Sequence, residues 1–281
     1  MNKFITLAFA LFLLLTFTIT VANSQSLTVK GTVKNSQTKE AVSFVNIGIR
    51  KKGIGTAADI NGSFELTISN ENRQDTITIS VVGFQELSLP INAIHSGKQT
   101  EFFLEEKATS LQEIVISSKV LKIRKFGTTS RNPLISGNAQ SRNSDDISEL
   151  AKLIELNGKP SELLSATLYL KSWKIDSASF RINFLENIDG APGERIVEKS
   201  IIKRLPLKKG WVTVDLAQYD IILDKEFFIS FEYLPDSTHK EKFLFIYGGA
   251  LGGSYYSRNV SLGDWKKGVG ARMAAYVTVR Q

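Results

Sequence analysis

The chain has 281 residues, no cysteine, and 35 Lys and Arg residues against 28 Asp and Glu residues. The lack of cysteine excludes a disulfide framework, thiolate metal sites and a lipid-anchored lipoprotein. The length leaves room for a leader segment and two domains of about 100 to 150 residues each. The hydrophobic content of 42% is ordinary for a globular protein, so we predict that each domain buries a core.

The first 24 residues have the pattern of a signal peptide. Lys3 precedes an apolar run over residues 4–21, and Ala22-Asn23-Ser24 provides small residues for a cut before Gln25. We therefore expect a signal peptide at residues 1–24 and an exported protein. An uncleaved membrane anchor stays open as an alternative, because the apolar run is near the lower length limit for a spanning helix.

The charge is distributed unevenly along the rest of the chain. Residues 25–118 contain 9 basic and 10 acidic residues, whereas residues 119–281 contain 25 basic and 18 acidic residues. This asymmetry indicates two domains. It also makes the second half the one expected to meet an anionic surface.

Residues 25–108 have the pattern of a small β-sandwich. Alternating apolar residues predict strands at residues 27–33, 41–49, 63–66, 76–82, 87–91 and 100–104. Between two of these runs, Asn61-Gly62 predicts a type I′ turn of a β-hairpin, since both residues tolerate positive φ. About seven short strands with frequent turn signals are typical of a sandwich.

Four motifs in this region resemble the carboxypeptidase-regulatory-like domain. They are G-x-V from Gly31, A-V-x-x-V-N-I over 41–47, G-T-x-x-D-x-N-G-x-F-x-L over 55–66 and I-x-V-V-G-F over 79–84. The resemblance implies a seven-stranded prealbumin-like (transthyretin-like) sandwich that is an accessory fold without catalytic residues. It also implies a Gram-negative envelope, so we expect the protein in the periplasm or at the outer membrane or cell surface.

Residues 111–116 are similar to the segment that follows this domain in outer-membrane receptors. The remaining chain is too short for the plug and large barrel of such a receptor, so a transporter is excluded. By analogy with the family, an outer-membrane protein is one expected partner.

No motif of metal or cofactor chemistry is found in the sequence. The two histidines, His95 and His239, are not followed by the glutamate of an H-x-x-E pair, so no zinc carboxypeptidase site is expected. Residues 59–62 resemble the start of a calcium loop but lack its later ligands, which favours a plain turn. We predict no catalytic residue, metal or cofactor, and we interpret the glycine-rich residues 248–253 as a mobile loop or bulge.

Residues 109–148 are predicted to be a connector. A basic strip within it has no acidic residue between positions 114 and 143, and consists of Lys119, Lys122, Arg124, Lys125, Arg131 and Arg142. Two interpretations stay open: a docking strip for an anionic envelope surface, or a solvated linker with a first strand at residues 120–126. With Phe126 as its single aromatic residue, the strip is not expected to bind nucleic acid.

Residues 149–281 predict a jelly-roll-like antiparallel β-sandwich. Alternation places apolar side chains on one face of each strand, as at Phe180, Ile182 and Phe184, and again over residues 212–216 and 227–233. The order of these strands resembles β-sandwich modules of the same envelopes, which are similar in plan to carbohydrate-binding jelly rolls. The predicted fold class is therefore all-β, with two successive sandwiches.

The candidate ligand-binding residues are aromatic: Trp173, Trp211, Tyr255, Tyr256 and Trp265. Sugar rings stack on flat exposed aromatic faces, although packing at the rim or in the core is an alternative role. We predict a non-catalytic exported envelope protein that binds a glycan or a surface protein.

The alternative function is a small polysaccharide hydrolase that uses carboxylates of the second domain. Its candidate residues are Glu186, Asp189, Glu194 and Glu232. The neighbours of Glu232 are Phe231 and Tyr233, so alternation predicts that Glu232 faces outward as a surface charge.

Overall fold

The computed structural model describes residues 26–94, 97–108, 121–138, 140–208, 210–236 and 244–281. These residues form an all-β structure with three single-turn 3₁₀ helices, at Asn70–Asn72, Ile91–Ala93 and Ala217–Tyr219. Within these ranges no helix is long and apolar enough to span a membrane. The predicted signal peptide, His95, His239, Lys119 and residues 111–116 lie outside the described residues.

The first domain is a sandwich of two small sheets. Its strands are β1 (Ser26–Asn35), β2 (Asn46–Ile49), β3 (Ile54–Ala57), β4 (Ser63–Ser69), β5 (Thr76–Ser80), β6 (Leu87–Pro90) and β7 (Gln99–Leu104). One sheet has the order β4-β1-β7 and the other β3-β2-β5-β6. Apolar side chains from both sheets, such as Val29, Phe64, Ile47 and Ile79, share one buried core.

The predicted type I′ hairpin at Asn61-Gly62 is wrong. Strands β3 and β4 on either side of it belong to different sheets, so this turn carries the chain from one sheet to the other. Of the two turn residues only Gly62 has positive φ, at 73°. The Asp59 carboxylate accepts hydrogen bonds from the amides of Asn61 and Ser63 at 2.8 and 2.9 Å, which fixes the turn locally.

The second domain is one long curled sheet. Its strands are β8 (Ile123–Gly127), β9 (Asn132–Gly137), β10 (Ser148–Ile154), β11 (Ser161–Lys171), β12 (Ser177–Ile188), β13 (Ala191–Arg195), β14 (Ile202–Pro206), β15 (Gly210–Asp215), β16 (Ile222–Leu223), β17 (Phe227–Tyr233), β18 (Ile246–Arg258), β19 (Lys266–Met273) and β20 (Ala275–Arg280). Its main path is β13-β12-β17-β10-β18-β11-β20-β8. Thus β8 and β9, which lie in the predicted connector, both pair with this sheet.

The two ends of this sheet face each other across a core, as in a sandwich. Phe180, Phe184 and Ile229 of β12 and β17 pack in the same cluster as Leu168 of β11 and Val277 of β20. Alternation therefore predicted the inward faces of these strands correctly. Of the two interpretations of the glycine-rich residues 248–253, the mobile loop is wrong and the bulge is confirmed. These residues lie inside β18, where the pairing with β19 shifts between Leu251 and Ser254.

Candidate functional site

Four adjacent strands of the second domain place four charged side chains in one row. Arg181 of β12 lies opposite Glu232 of β17, Glu232 lies opposite Glu149 of β10, and Glu149 lies opposite Arg258 of β18. The order across the sheet is therefore positive, negative, negative, positive. Two carboxylates directly opposite each other repel, so this row needs the arginines at its ends.

Hydrogen bonds join this charged row. Arg181 Nη1 donates to Glu232 Oε2 at 3.1 Å, and Arg258 Nε donates to Glu149 Oε2 at 2.5 Å. Asn183, in the next row on the same face, donates its Nδ2 protons to both carboxylates at 2.9 Å. Ser230 donates a further hydrogen bond to Glu149. The amide of Asn183 thus bridges the two acids.

The first domain covers this row. The side-chain amide of Asn46 in β2 donates to Glu232 Oε1 at 2.9 Å, and Arg181 Nη2 donates to the main-chain carbonyl of Phe44 at 2.7 Å. Arg181 and Glu232 are both 0% exposed as a result. The prediction that Glu232 is a surface charge is wrong, because the face that points away from the sandwich core is buried between the two domains.

The electrostatics of Glu232 follow from its neighbours. Burial alone raises the pKa of a carboxyl group, but Arg181, Arg195 and Arg258 outweigh it and hold the pKa of Glu232 below its ordinary value. Burial lowers the pKa of Arg258, but Glu149 and Glu232 outweigh this effect and raise it. Glu232 is therefore ionised at neutral pH.

A third buried acid lies beside this row. Asp146 accepts hydrogen bonds from the Ser261 hydroxyl at 2.6 Å and from the amides of Ile147 and Ser261 at 2.8 and 3.0 Å. Burial raises the pKa of Asp146 to about 6, because these neutral donors only partly offset the loss of hydration. The Ser261 hydroxyl also lies 3.2 Å from Asn46 Oδ1, which links Asp146 to the first domain.

Glycines permit the close approach of the two domains. Gly48 and Gly55 are paired neighbours on β2 and β3. A Cβ atom at these positions would lie 3.0 and 2.8 Å from the Ser261 carbonyl oxygen. Next to them, the Ala57 amide donates to the Asp145 carbonyl at 2.9 Å, so main-chain bonds also join the domains.

A cleft with a volume of about 590 Å³ opens beside the charged row, between the domains. The first domain lines it with Arg50, Lys51, Ser80, Phe84, Glu86 and Lys107, and the second with Leu185, Pro192, Gly193, Glu194, Arg195, Glu198, Arg258, Leu262, Gly263, Asp264 and Trp265. Its walls contain acidic and basic side chains and two aromatic rings, those of Phe84 and Trp265. This is the composition of a polar binding cleft rather than an apolar pocket.

Two side chains of this cleft suggest its chemistry. The Trp265 ring lies against Arg258, whose guanidinium carbon is 4.7 Å from the ring centroid. Arg195 Nε is buried and has no hydrogen-bond partner. Burial lowers the pKa of Arg195, although nearby Glu232 opposes this effect. A flat ring and a guanidinium without a partner can contact a sugar and an acidic group, respectively.

The five aromatic residues predicted to bind a ligand do not lie in one site. Trp265 lines the cleft, and Tyr256 packs in the same small cluster, with its hydroxyl donating to the Gly190 carbonyl at 2.6 Å. Tyr255 lies elsewhere, partly buried against the main core. Trp211 packs edge-on against Tyr169, and Trp173 is 72% exposed beneath Lys171.

Three of the four proposed hydrolase residues lie on the β12–β13 hairpin, and the fourth lies on β17. Glu194 is exposed and lines the cleft, Glu186 and Asp189 are exposed, and Glu232 is buried in its ion pair. Residues of the basic strip have separate local contacts. Lys125 lies over Tyr276, Arg131 lies over Tyr169, and Arg142 donates to the Gly53 carbonyl.

Sequence reasoning did not identify Asn46, Arg181, Glu149, Arg195 and Arg258 as residues of the site. One signal was available: Arg181 and Asn183 alternate with large apolar residues on one strand, as Ser230 and Glu232 do on another. Among the described residues, no group of three or more His, Cys, Asp or Glu side chains is arranged to hold a metal ion.

Comparison with protein families assigns the first domain. The model of the CarboxypepD_reg-like domain matches residues 29–116, of which residues up to 108 form the first sandwich described above. This part of the chain is therefore a carboxypeptidase-regulatory-like domain, which confirms the resemblance seen in its motifs. No curated protein matches the chain in sequence.

One solved structure with some likeness to this chain is the T13 IBDV viral particle, at 9% sequence identity and a TM-score of 0.29. The match covers 91% of this chain and 61% of the viral chain. The chain spans about three fifths of the length of that viral chain. A DUF3823 family protein from Bacteroides uniformis is 10% identical to this chain. The match covers 89% of this chain and 98% of that protein, with a TM-score of 0.22. At these scores the likenesses support neither a fold nor a function.

Proposed function

We propose that the protein is a non-catalytic exported cell-envelope protein that binds a glycan in the cleft between its two domains. The observation that supports this proposal is the cleft itself, where Trp265 and Phe84 come from different domains and polar side chains surround them. Aromatic faces with nearby hydrogen-bonding groups suit sugar rings, which expose both C–H bonds and hydroxyls.

The close docking of the domains supports this role. A cleft between two independently moving domains would lose its shape, whereas here buried hydrogen bonds from Asn46 and to the Phe44 carbonyl hold the walls in place. Preorganised walls lower the entropic cost of binding. The carboxypeptidase-regulatory-like domain would then supply one wall of the site, which agrees with an accessory role for this domain.

Export to the envelope and a protein partner at the outer membrane are parts of the same proposal. They are supported by the leader pattern of residues 1–24 and by the family setting of the first domain. A basic edge at β8, with Lys122, Arg124 and Lys125, would face anionic groups of that surface.

A thermal-shift scan of the purified protein against envelope and plant polysaccharides tests the proposal. A ligand that binds only the folded state stabilises it by about 2.7 kcal/mol at a hundredfold excess over its Kd, so a binding glycan raises the unfolding midpoint. The midpoint should rise with at least one glycan in the wild type and not in Trp265→Ala. An unchanged midpoint across the panel would count against glycan binding and favour a protein partner.

A further inference from the structure

The cations of the cleft differ in how they are neutralised. Arg50 pairs with Glu86, and Lys107 pairs with Glu198 at 2.6 Å. Arg258 is bonded to Glu149 beneath the cleft. Arg195 forms no ion pair among the described residues, and its buried Nε lacks a hydrogen-bond acceptor. Arg195 is thus a half-buried arginine whose buried Nε lacks an acceptor and which has no bonded carboxylate.

The acids near Arg195 are already engaged. Glu232 accepts hydrogen bonds from Arg181, Asn183 and Asn46. Glu149 accepts hydrogen bonds from Asn183, Ser230 and Arg258. Glu194 and Asp264, the other acids of the cleft wall, are exposed to solvent. A buried N–H group without an acceptor is costly, and an oxyanion placed in the cleft would supply an acceptor to Arg195 Nε.

We propose that Arg195 and Arg258 form an anion subsite in the cleft, which takes the carboxylate or phosphate group of an acidic sugar. Trp265 lies against Arg258, so one acidic sugar can place its ring at Trp265 and its charge at the two guanidiniums. Arginine suits this task because its planar donors match both kinds of oxyanion. The choice of a sugar as the ligand rests on the proposed function, whereas the binding of an anion by the two arginines does not.

The anion subsite is tested first with inorganic phosphate alone. Unfolding midpoints are measured in phosphate and in chloride at equal ionic strength for the wild type, Arg195→Gln and Arg204→Gln. Arg204 is an exposed arginine on β14, away from the cleft lining, so its variant controls for the loss of one positive charge. A phosphate-specific rise that is lost only in Arg195→Gln supports the subsite, and an equal rise in all three proteins overturns it.

The sugar is tested by calorimetric titration with polygalacturonate and its methyl ester, which share one sugar backbone and carry a charged or an uncharged carboxyl group. We expect the acid form to bind at least tenfold more tightly, and Arg195→Gln to remove that preference while Arg195→Lys keeps part of it. Equal binding of both forms, unchanged in Arg195→Gln, overturns the subsite and leaves glycan binding intact. Phosphate binding at Arg195 without binding of any polysaccharide supports the subsite and refutes the proposed function.

Discussion

Asn46 and Glu232, 186 positions apart in the chain, form a buried hydrogen bond of 2.9 Å between the two domains. Glu232 also accepts from Arg181, which in turn donates to the Phe44 carbonyl beside Asn46. The two domains therefore share one charged interior. The structural unit is the pair of domains, and the cleft beside this interior exists only in the pair.

Removal of Arg181 should be strongly destabilising. In Arg181→Met the Glu232 carboxylate loses its ion-pair partner but stays buried, and such a change costs about 3 to 5 kcal/mol. The free energy of unfolding from urea titration measures this loss. Arg280→Met is the control, because Arg280 pairs with Glu162 at an exposed position, where a loss of up to about 1 kcal/mol is expected. Equal losses in both variants would refute a buried ionic link.

Asp146 should make the protein more stable at mildly acidic pH. Its folded-state pKa of about 6 exceeds the ordinary 3.8, so its contribution to stability is full below about pH 4 and is lost as the pH rises through 6. At about 1.4 kcal/mol per pKa unit, the wild type should gain roughly 1 kcal/mol between pH 7.5 and pH 5. The titration of Glu232 lies below this window, since its pKa is lowered.

The matched variant for that measurement is Asp146→Asn, which keeps an acceptor for the amides of Ile147 and Ser261. Its unfolding free energy should change less than that of the wild type over the same pH range. If the two proteins show parallel pH profiles, Asp146 is not the group that titrates.

The glycine pair at the domain interface should not tolerate a side chain. In Gly55→Ala the new Cβ atom would lie 2.8 Å from the Ser261 carbonyl oxygen, so the domains must move apart, at a cost of about 1 to 3 kcal/mol. Thermal unfolding should show a lower midpoint. Gly137→Ala is the control, because no atom lies within 4 Å of its Cβ position. A midpoint for Gly55→Ala as high as that of the control would contradict the close docking.

Much of the fold follows from sequence alternation, but the charged row does not. The pattern at Phe180 and Phe184 was sufficient to predict which face of β12 meets the core. The same pattern placed Glu232 on the opposite face, which is correct, but that face is covered by another domain. Covering of this kind depends on contacts such as Asn46 with Glu232, which join distant parts of the chain and leave no local periodicity.

The candidate site was predictable only in part for the same reason. Aromatic chemistry made Trp265 one of the candidate ligand-binding residues, and the structure places it in the cleft. Trp173 has the same chemistry but lies apart from the cleft, because residue type alone does not fix position in space. Arg195 and Phe84 line the same cleft only because the two domains dock.

The hydrolase alternative predicts that the protein releases reducing ends from a polysaccharide, whereas the binding proposal predicts no such release. Glu194 is the candidate acid that lines the cleft, whereas Glu232 is buried in its ion pair. We expect no increase in reducing ends when the protein is incubated with any polysaccharide that shifts its midpoint. Release of reducing ends by the wild type and its loss in Glu194→Gln would instead establish an enzyme.

The most direct test of a shared binding cleft is calorimetric titration of a glycan that shifts the midpoint, with one variant on each wall. Phe84→Ala alters the first domain and Trp265→Ala the second, while Trp173→Ala removes an exposed tryptophan outside the cleft lining. We predict at least tenfold weaker binding for both wall variants and unchanged binding for Trp173→Ala. Wild-type affinity in both wall variants, or a loss only in Trp173→Ala, would contradict a binding site between the domains.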